Sequence, residues 1–110
     1  MITITPEQLA KYFDQTLLKP YVTEERLKEF CLESDRYGFA MVAINSAPVA
    51  FCKNVLKNSA VHVGAAIGFP LGQTTIEDKV FETEQAIRDG ADVVVGHHPH
   101  IIQGIEAYEN

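Results

Sequence analysis

Cysteine is scarce in this sequence of 110 residues: Cys31 and Cys52 are too few for a disulfide framework. Both fall in segments of helical spacing, where cysteine serves as a small buried hydrophobe. Basic charge is thin as well. Nine Lys and Arg lie scattered among fifteen Asp and Glu, for a formal net charge of −6. No basic stripe exists to neutralise a phosphate backbone, so nucleic acid is not an expected partner. No apolar run approaches the ~20 residues of a membrane helix, and no basic segment followed by a long apolar one marks the N-terminus. No membrane contact is expected, and a cytoplasmic location is the default. Repeats, low-complexity tracts and linkers are also missing. What remains is a globular balance, 46% hydrophobic and 22% charged, in a chain long enough to bury about two thirds of the surface it exposes unfolded. One domain spanning residues 1–110 is expected.

Hydrophobic periodicity divides the chain into alternating segments. Thr5 and Pro6 open a short helix over Glu7 to Phe13, which reads as a lid. Asp14 to Lys19 reads as the first strand, ended by Pro20. Thr23-Glu24-Glu25-Arg26 has the cap-then-acid pattern of a helix start. Leu27, Phe30, Cys31 and Ser34 repeat at helical intervals until Gly38. Phe39 to Ile44 is a continuous apolar run, as a strand covered on both faces requires. A helix over Pro48 to Lys57 follows, then a strand over Val61 to Ile67 closed by Gly68-Phe69-Pro70-Leu71-Gly72. Thr75 to Asp89 reads as a helix with Ile76, Val80, Phe81, Glu84 and Ile87 at helical intervals, and Ala91 to Val95 as a fourth strand. Four strand–helix alternations predict an α/β chain of right-handed βαβ units with a parallel sheet. The segment from Gly96 to Asn110 is left between a short helix and an edge strand.

Several ordered motifs then resemble the first half of deoxyribose-phosphate aldolase. They are Asp14-Gln15-Thr16-Leu17-Leu18-Lys19-Pro20, Gly38-Phe39-Ala40, Ile67-Gly68-Phe69-Pro70-Leu71-Gly72, Thr75 to Lys79, and Ala86-Ile87-Arg88-Asp89-Gly90-Ala91-Asp92. The resemblance covers residues 8–92. It implies four βα units of a TIM-type barrel, arranged as a half-barrel or as an open parallel, flavodoxin-like sheet. That family cleaves 2-deoxyribose 5-phosphate through a lysine Schiff base and uses no metal, so no cofactor is expected. The resemblance makes Asp14 the acidic residue of the family's carboxylate–lysine network, with Thr16, Leu17 and Lys19 as its neighbours. Two departures weigh against activity. Ala43 stands where the family often has a cysteine, and Val95 stands where it has a proton-transferring aspartate. The nucleophilic lysine and its partner lysine belong to later strands, and a solvated lysine with a pKa near ~10.4 is a poor substitute.

Beyond residue 92 the likeness changes. Gly96-His97-His98-Pro99-His100, continuing through Gln103-Gly104-Ile105-Glu106, is similar to a segment of capsule or poly-gamma-glutamate synthesis proteins, relatives of the calcineurin-like metallophosphoesterases. The chain thus reads as aldolase-like units over 1–92 with a tail over 93–110 that packs on the same core through Ile101, Ile102, Ile105 and Tyr108. His97, His98 and His100 are candidate ligands for one transition-metal ion. The alternative is an exposed turn. A hydrolytic two-metal site is not expected, because the family's Asp-x-His, Gly-Asp and Asn-His motifs are absent. Asp14 has a bland alternative in bonding nearby amides, and Lys19 as a solvated loop residue. The Gly68–Gly72 loop with Thr74 and Thr75 offers a helix N-terminus to an anion, or serves turn geometry alone. The leading expectation is a non-catalytic, self-associating fragment, a homodimer that covers its own open strand edges. Residual Schiff-base lyase activity on a small phosphorylated sugar through Asp14 and Lys19, and metal binding through the histidines, are the two alternatives.

Overall fold

The computed structural model describes residues 1–99 and 104–107. The elements run α1 (Pro6–Ala10), β1 (Asp14–Leu17), α2 (Glu24–Tyr37), β2 (Met41–Asn45), α3 (Val49–Val55), β3 (His62–Ile67), α4 (Ile76–Arg88) and β4 (Val93–Gly96). Every expected element is present, most of them trimmed by one to three residues. The trimming has physical causes. At the end of α1, Tyr12 N–H bonds Leu9 and Phe13 N–H bonds Ala10, so the last turn tightens to three-residue spacing. Phe13 C=O then accepts from Ala40 N–H and leads the chain into β1 beside β2.

Threonine sets three helix starts. Thr5, Thr23 and Thr75 each accept a backbone N–H from three residues on, at Gln8, Arg26 and Asp78. Each such cap is worth about 1 kcal/mol. Gly38 ends α2 with φ of 70°, a left-handed conformation that a side chain resists.

The four strands are parallel and lie in the order β1-β2-β3-β4. A doubly wound sheet reverses its strand order and carries helices on both faces. Here the order never reverses, and α2, α3 and α4 all pack one face. Leu27, Phe30 and Cys31 of α2, Val49 and Cys52 of α3, and Ala86 of α4 join Val42, Ile44, Val63, Ala65 and Ile67 in one core. Of the two expected arrangements, the arc of a barrel is the one observed.

The apolar stripe expected to bury α4 is instead in solvent. Ile76, Val80 and Phe81 are 76%, 51% and 66% exposed, and Ala86 alone among the helix residues is fully buried. The periodicity was sound as a helix signal. Among the described residues, however, no element covers that side. Helix α1 likewise buries none of its residues.

Candidate functional site

Strand alternation gives the sheet a second, concave face opposite the helices. Reading the register across it gives three rows: Asp14, Met41 and His62; Thr16, Ala43, Gly64 and Val93; Asn45, Ala66 and Val95. In a closed barrel such rows form the packed interior. Small residues dominate the middle row, and the Met41 thioether lies over Gly64, so close that a β-carbon there would sit 2.6 Å from its sulfur. Val93 and Val95 on this face remain 42% and 46% exposed.

Asp14 and Lys19 are not brought together. Asp14 begins β1 and Lys19 follows its last residue, and a four-residue strand alone separates its ends by roughly 10 Å. Lys19 is exposed beside a cleft of about 350 Å³, whose walls include Leu17, Val22, Leu27, Asn45 and Phe51. Asn45 closes this corner by donating to Leu18 C=O at 3.1 Å. Lysine is absent from the concave strand positions described above. Val95, where the aldolase resemblance places a carboxylate, borders Ala66 in the lowest row and has no proton to give.

The C-terminal rim is organised by a residue the sequence reading did not single out. Glu82 of α4 accepts Gly68 N–H at 2.8 Å and the Ser46 hydroxyl at 2.6 Å, fastening the loops after β2 and β3 to one carboxylate. The Gly68–Gly72 loop also seats the start of the tail. His97 N–H bonds Ile67 C=O, its ring meets Phe69 edge-to-face at 4.9 Å, and His98 Nδ1 lies 3.5 Å from Pro70 C=O. A β-carbon on Gly72 would strike His97 C=O and come within 2.8 Å of His98 Cβ.

His100 lies outside the described residues, as do Ile101, Ile102 and Tyr108, so their expected contacts do too. Among the described residues no three His, Cys, Asp or Glu side chains gather as a metal would require. The N-terminus of α4 is served by its own chain. Asp78 accepts hydrogen bonds from the Thr74 and Thr75 hydroxyls, which hold its carboxyl below the usual carboxylate range. An acid already fills the position offered to an anion.

The opposite rim holds a second unforeseen constellation. Asp92 accepts Val63 N–H at 2.8 Å and Lys53 Nζ at 3.0 and 3.1 Å, and faces His62 Nδ1 at 3.7 Å. Partial burial pushes this carboxyl up, but the Val63 amide, the Lys53 ammonium and His62 together outweigh it and hold the pKa low. Asp92 N–H also bonds Val63 C=O, so Val63 directs both backbone groups to this one residue. The carboxylate starts the β3–β4 ladder. Its signal in the sequence was the Gly-Ala-Asp before the strand, but its partners are 29 and 39 positions away.

Residues 36–110 match the sequence model of the bacterial capsule synthesis protein PGA_cap. Over 88 residues, 80% of this chain, it is 54% identical to a deoxyribose-phosphate aldolase of Bacteroides thetaiotaomicron, of which it covers 37%. The corresponding enzyme of Thermococcus kodakarensis is 48% identical over 87 residues, with 39% of its length covered. A tetrameric deoxyribose phosphate aldolase of Aeropyrum pernix superposes with a TM-score of 0.79 at 32% identity, over 84% of this chain and 39% of that one. The chain therefore spans about two fifths of the aldolases it matches. The capsule-family match begins inside α2, so the two likenesses overlap through the middle of the sheet.

Proposed function

We propose, for a chain that belongs through residues 36–110 to the bacterial capsule synthesis protein PGA_cap family and is related to deoxyribose-phosphate aldolase over two fifths of that enzyme's length, a non-catalytic role as a self-associating barrel arc. The carrying observation is the concave face. Its rows hold threonine, alanine, glycine, methionine and valine, with Asp14 at one rim and no lysine among them. Schiff-base chemistry needs an amine held neutral near pH 7 by burial or a neighbouring cation. Lys19 sits in solvent at the far end of β1 from Asp14, and Lys53 is committed to Asp92. The tail beyond β4 is read as an addition that packs on this same unit.

Self-association follows from the strand order. Strands β1 and β4 each have one neighbour in the sheet, so each keeps an unpaired edge. All four strands run the same way. The edge of β4 can therefore receive β1 of a second copy in parallel, and the same contact repeated by two-fold rotation closes an eight-stranded ring. That ring would bury the concave faces together with Val93 and Val95.

Light scattering tests the association directly: a species of twice the chain mass is expected at micromolar concentration, and a Val95→Lys variant should shift it toward the monomer. A monodisperse wild-type monomer would overturn the reading. Catalysis is tested separately by borohydride reduction in the presence of 2-deoxyribose 5-phosphate. No lysine adduct is expected, whereas one stoichiometric adduct would establish the aldolase activity instead.

A further inference from the structure

Between α2 and α3, behind β2, lie two thiols that the reading above does not use. Cys31 and Cys52 are each 0% exposed, belong to the same core cluster, and are hydrogen-bonded to one another. Both are free. Nothing in the sequence brings them together: they are on different helices, and only the crossover through β2 sets those helices side by side. A pair of small apolar residues would fill this space equally well, and alanine or valine carries no redox chemistry.

We propose that Cys31 and Cys52 are a site of reversible oxidation, joined to each other as an intramolecular disulfide by exchange with a low-molecular-weight disulfide. In the first step the Cys31 thiolate attacks one sulfur of the reagent, forming a mixed disulfide and expelling one thiolate, which takes up the proton Cys31 gave. The Cys52 thiol then loses its proton and attacks the Cys31 sulfur. The new S–S bond forms, the mixed disulfide breaks, and a second reagent thiol departs. Two protein thiols and one reagent disulfide become one protein disulfide and two reagent thiols.

The order of attack follows from the contact. The hydrogen bond donated by Cys52 stabilises a thiolate on Cys31 against the opposing effect of burial, while the same bond and burial push Cys52 up. Access comes through α3. That helix is only seven residues long, its start at Pro48 has no side-chain cap bond, and Lys57 is held at the end by a long 3.5 Å bond. Its opening exposes Cys52 and with it the pair. Once formed, the bond ties α2 to α3 across a loop of some twenty residues, which lowers the freedom of the unfolded chain.

The test uses the full chain incubated with oxidised glutathione. Thiol titration after denaturation should fall from two groups to none, intact mass should drop by two hydrogens with no glutathione retained, and dithiothreitol should restore both thiols. The oxidised protein should melt roughly 10 °C higher than the reduced one. Cys31→Ser and Cys52→Ser should each stop at a mixed disulfide or stay unmodified, without the rise in melting temperature. Retention of two titratable thiols in the wild type overturns the proposal, as does a disulfide found only between chains on a non-reducing gel. A double Cys→Ala variant that folds and melts like the reduced wild type separates redox chemistry from packing.

Discussion

Replacing Asp92 by alanine removes the acceptor of Val63 N–H, a group in a residue with no solvent exposure. A buried donor left unpaired costs about 1–3 kcal/mol. The Lys53 pair adds little, because both side chains are about one third exposed and solvent screens them; about 0.5 kcal/mol is the discounted share. The expected loss for Asp92→Ala is therefore about 2 kcal/mol. Asp92→Asn keeps an oxygen for Val63 and loses only the charge, for about 0.5–1 kcal/mol. The chain has no tryptophan, so urea unfolding is best followed by far-ultraviolet circular dichroism at one fixed protein concentration. The pH dependence is a second readout. The Asp92 carboxyl is depressed in the folded state, so its contribution is full above the unfolded value near ~3.9 and is lost as pH falls through the lower folded value. The gap between wild type and Asp92→Asn should be level from neutral pH to about 5 and close below about 4. An Asp92→Ala variant within 0.5 kcal/mol of wild type would refute the claim that this carboxylate starts the β3–β4 ladder.

Gly72→Ala forces a side chain into a φ of 65° and against the His97 carbonyl; a loss of about 2–3 kcal/mol is expected by thermal unfolding, and an unchanged midpoint would contradict the seating of the tail. For Glu82, a double-mutant cycle of Glu82→Ala with Ser46→Ala should give a coupling of about 0.5–1.5 kcal/mol, and strict additivity would deny the shared carboxylate. Because the His97 and His98 rings are engaged by Phe69 and the Pro70 carbonyl, calorimetry should show zinc binding no more tightly to wild type than to a His98→Ala, His100→Ala double variant. A stoichiometric step confined to wild type would favour the metal reading.

The local structure was legible because its causes are local. Three threonine caps, Gly38 and the strand-length apolar runs announce themselves within a few residues, and the helices and strands fall where those signals put them. What escaped depends on pairs distant in sequence. Glu82 looked like any polar residue on a helix until Ser46 and Gly68 came to it, and Asp92 looked like a loop acid until Val63 and Lys53 did. Periodicity also reports that a helix has an apolar side without reporting what covers it, which is why Ile76, Val80 and Phe81 were read as core and are exposed. The likeness to an aldolase placed Asp14 and Lys19 in one thought, but their positions at opposite ends of β1 follow only from strand geometry.

The two carboxylates at opposite rims act on the same strand. Glu82 grips the amide just past the end of β3, and Asp92 grips the amide near its beginning. Strand β1 has no such fastening and leans on β2 alone. Deuterium should accordingly enter β1 first and the amides of β3 last, so that the molecule opens from its first stave while the third still holds.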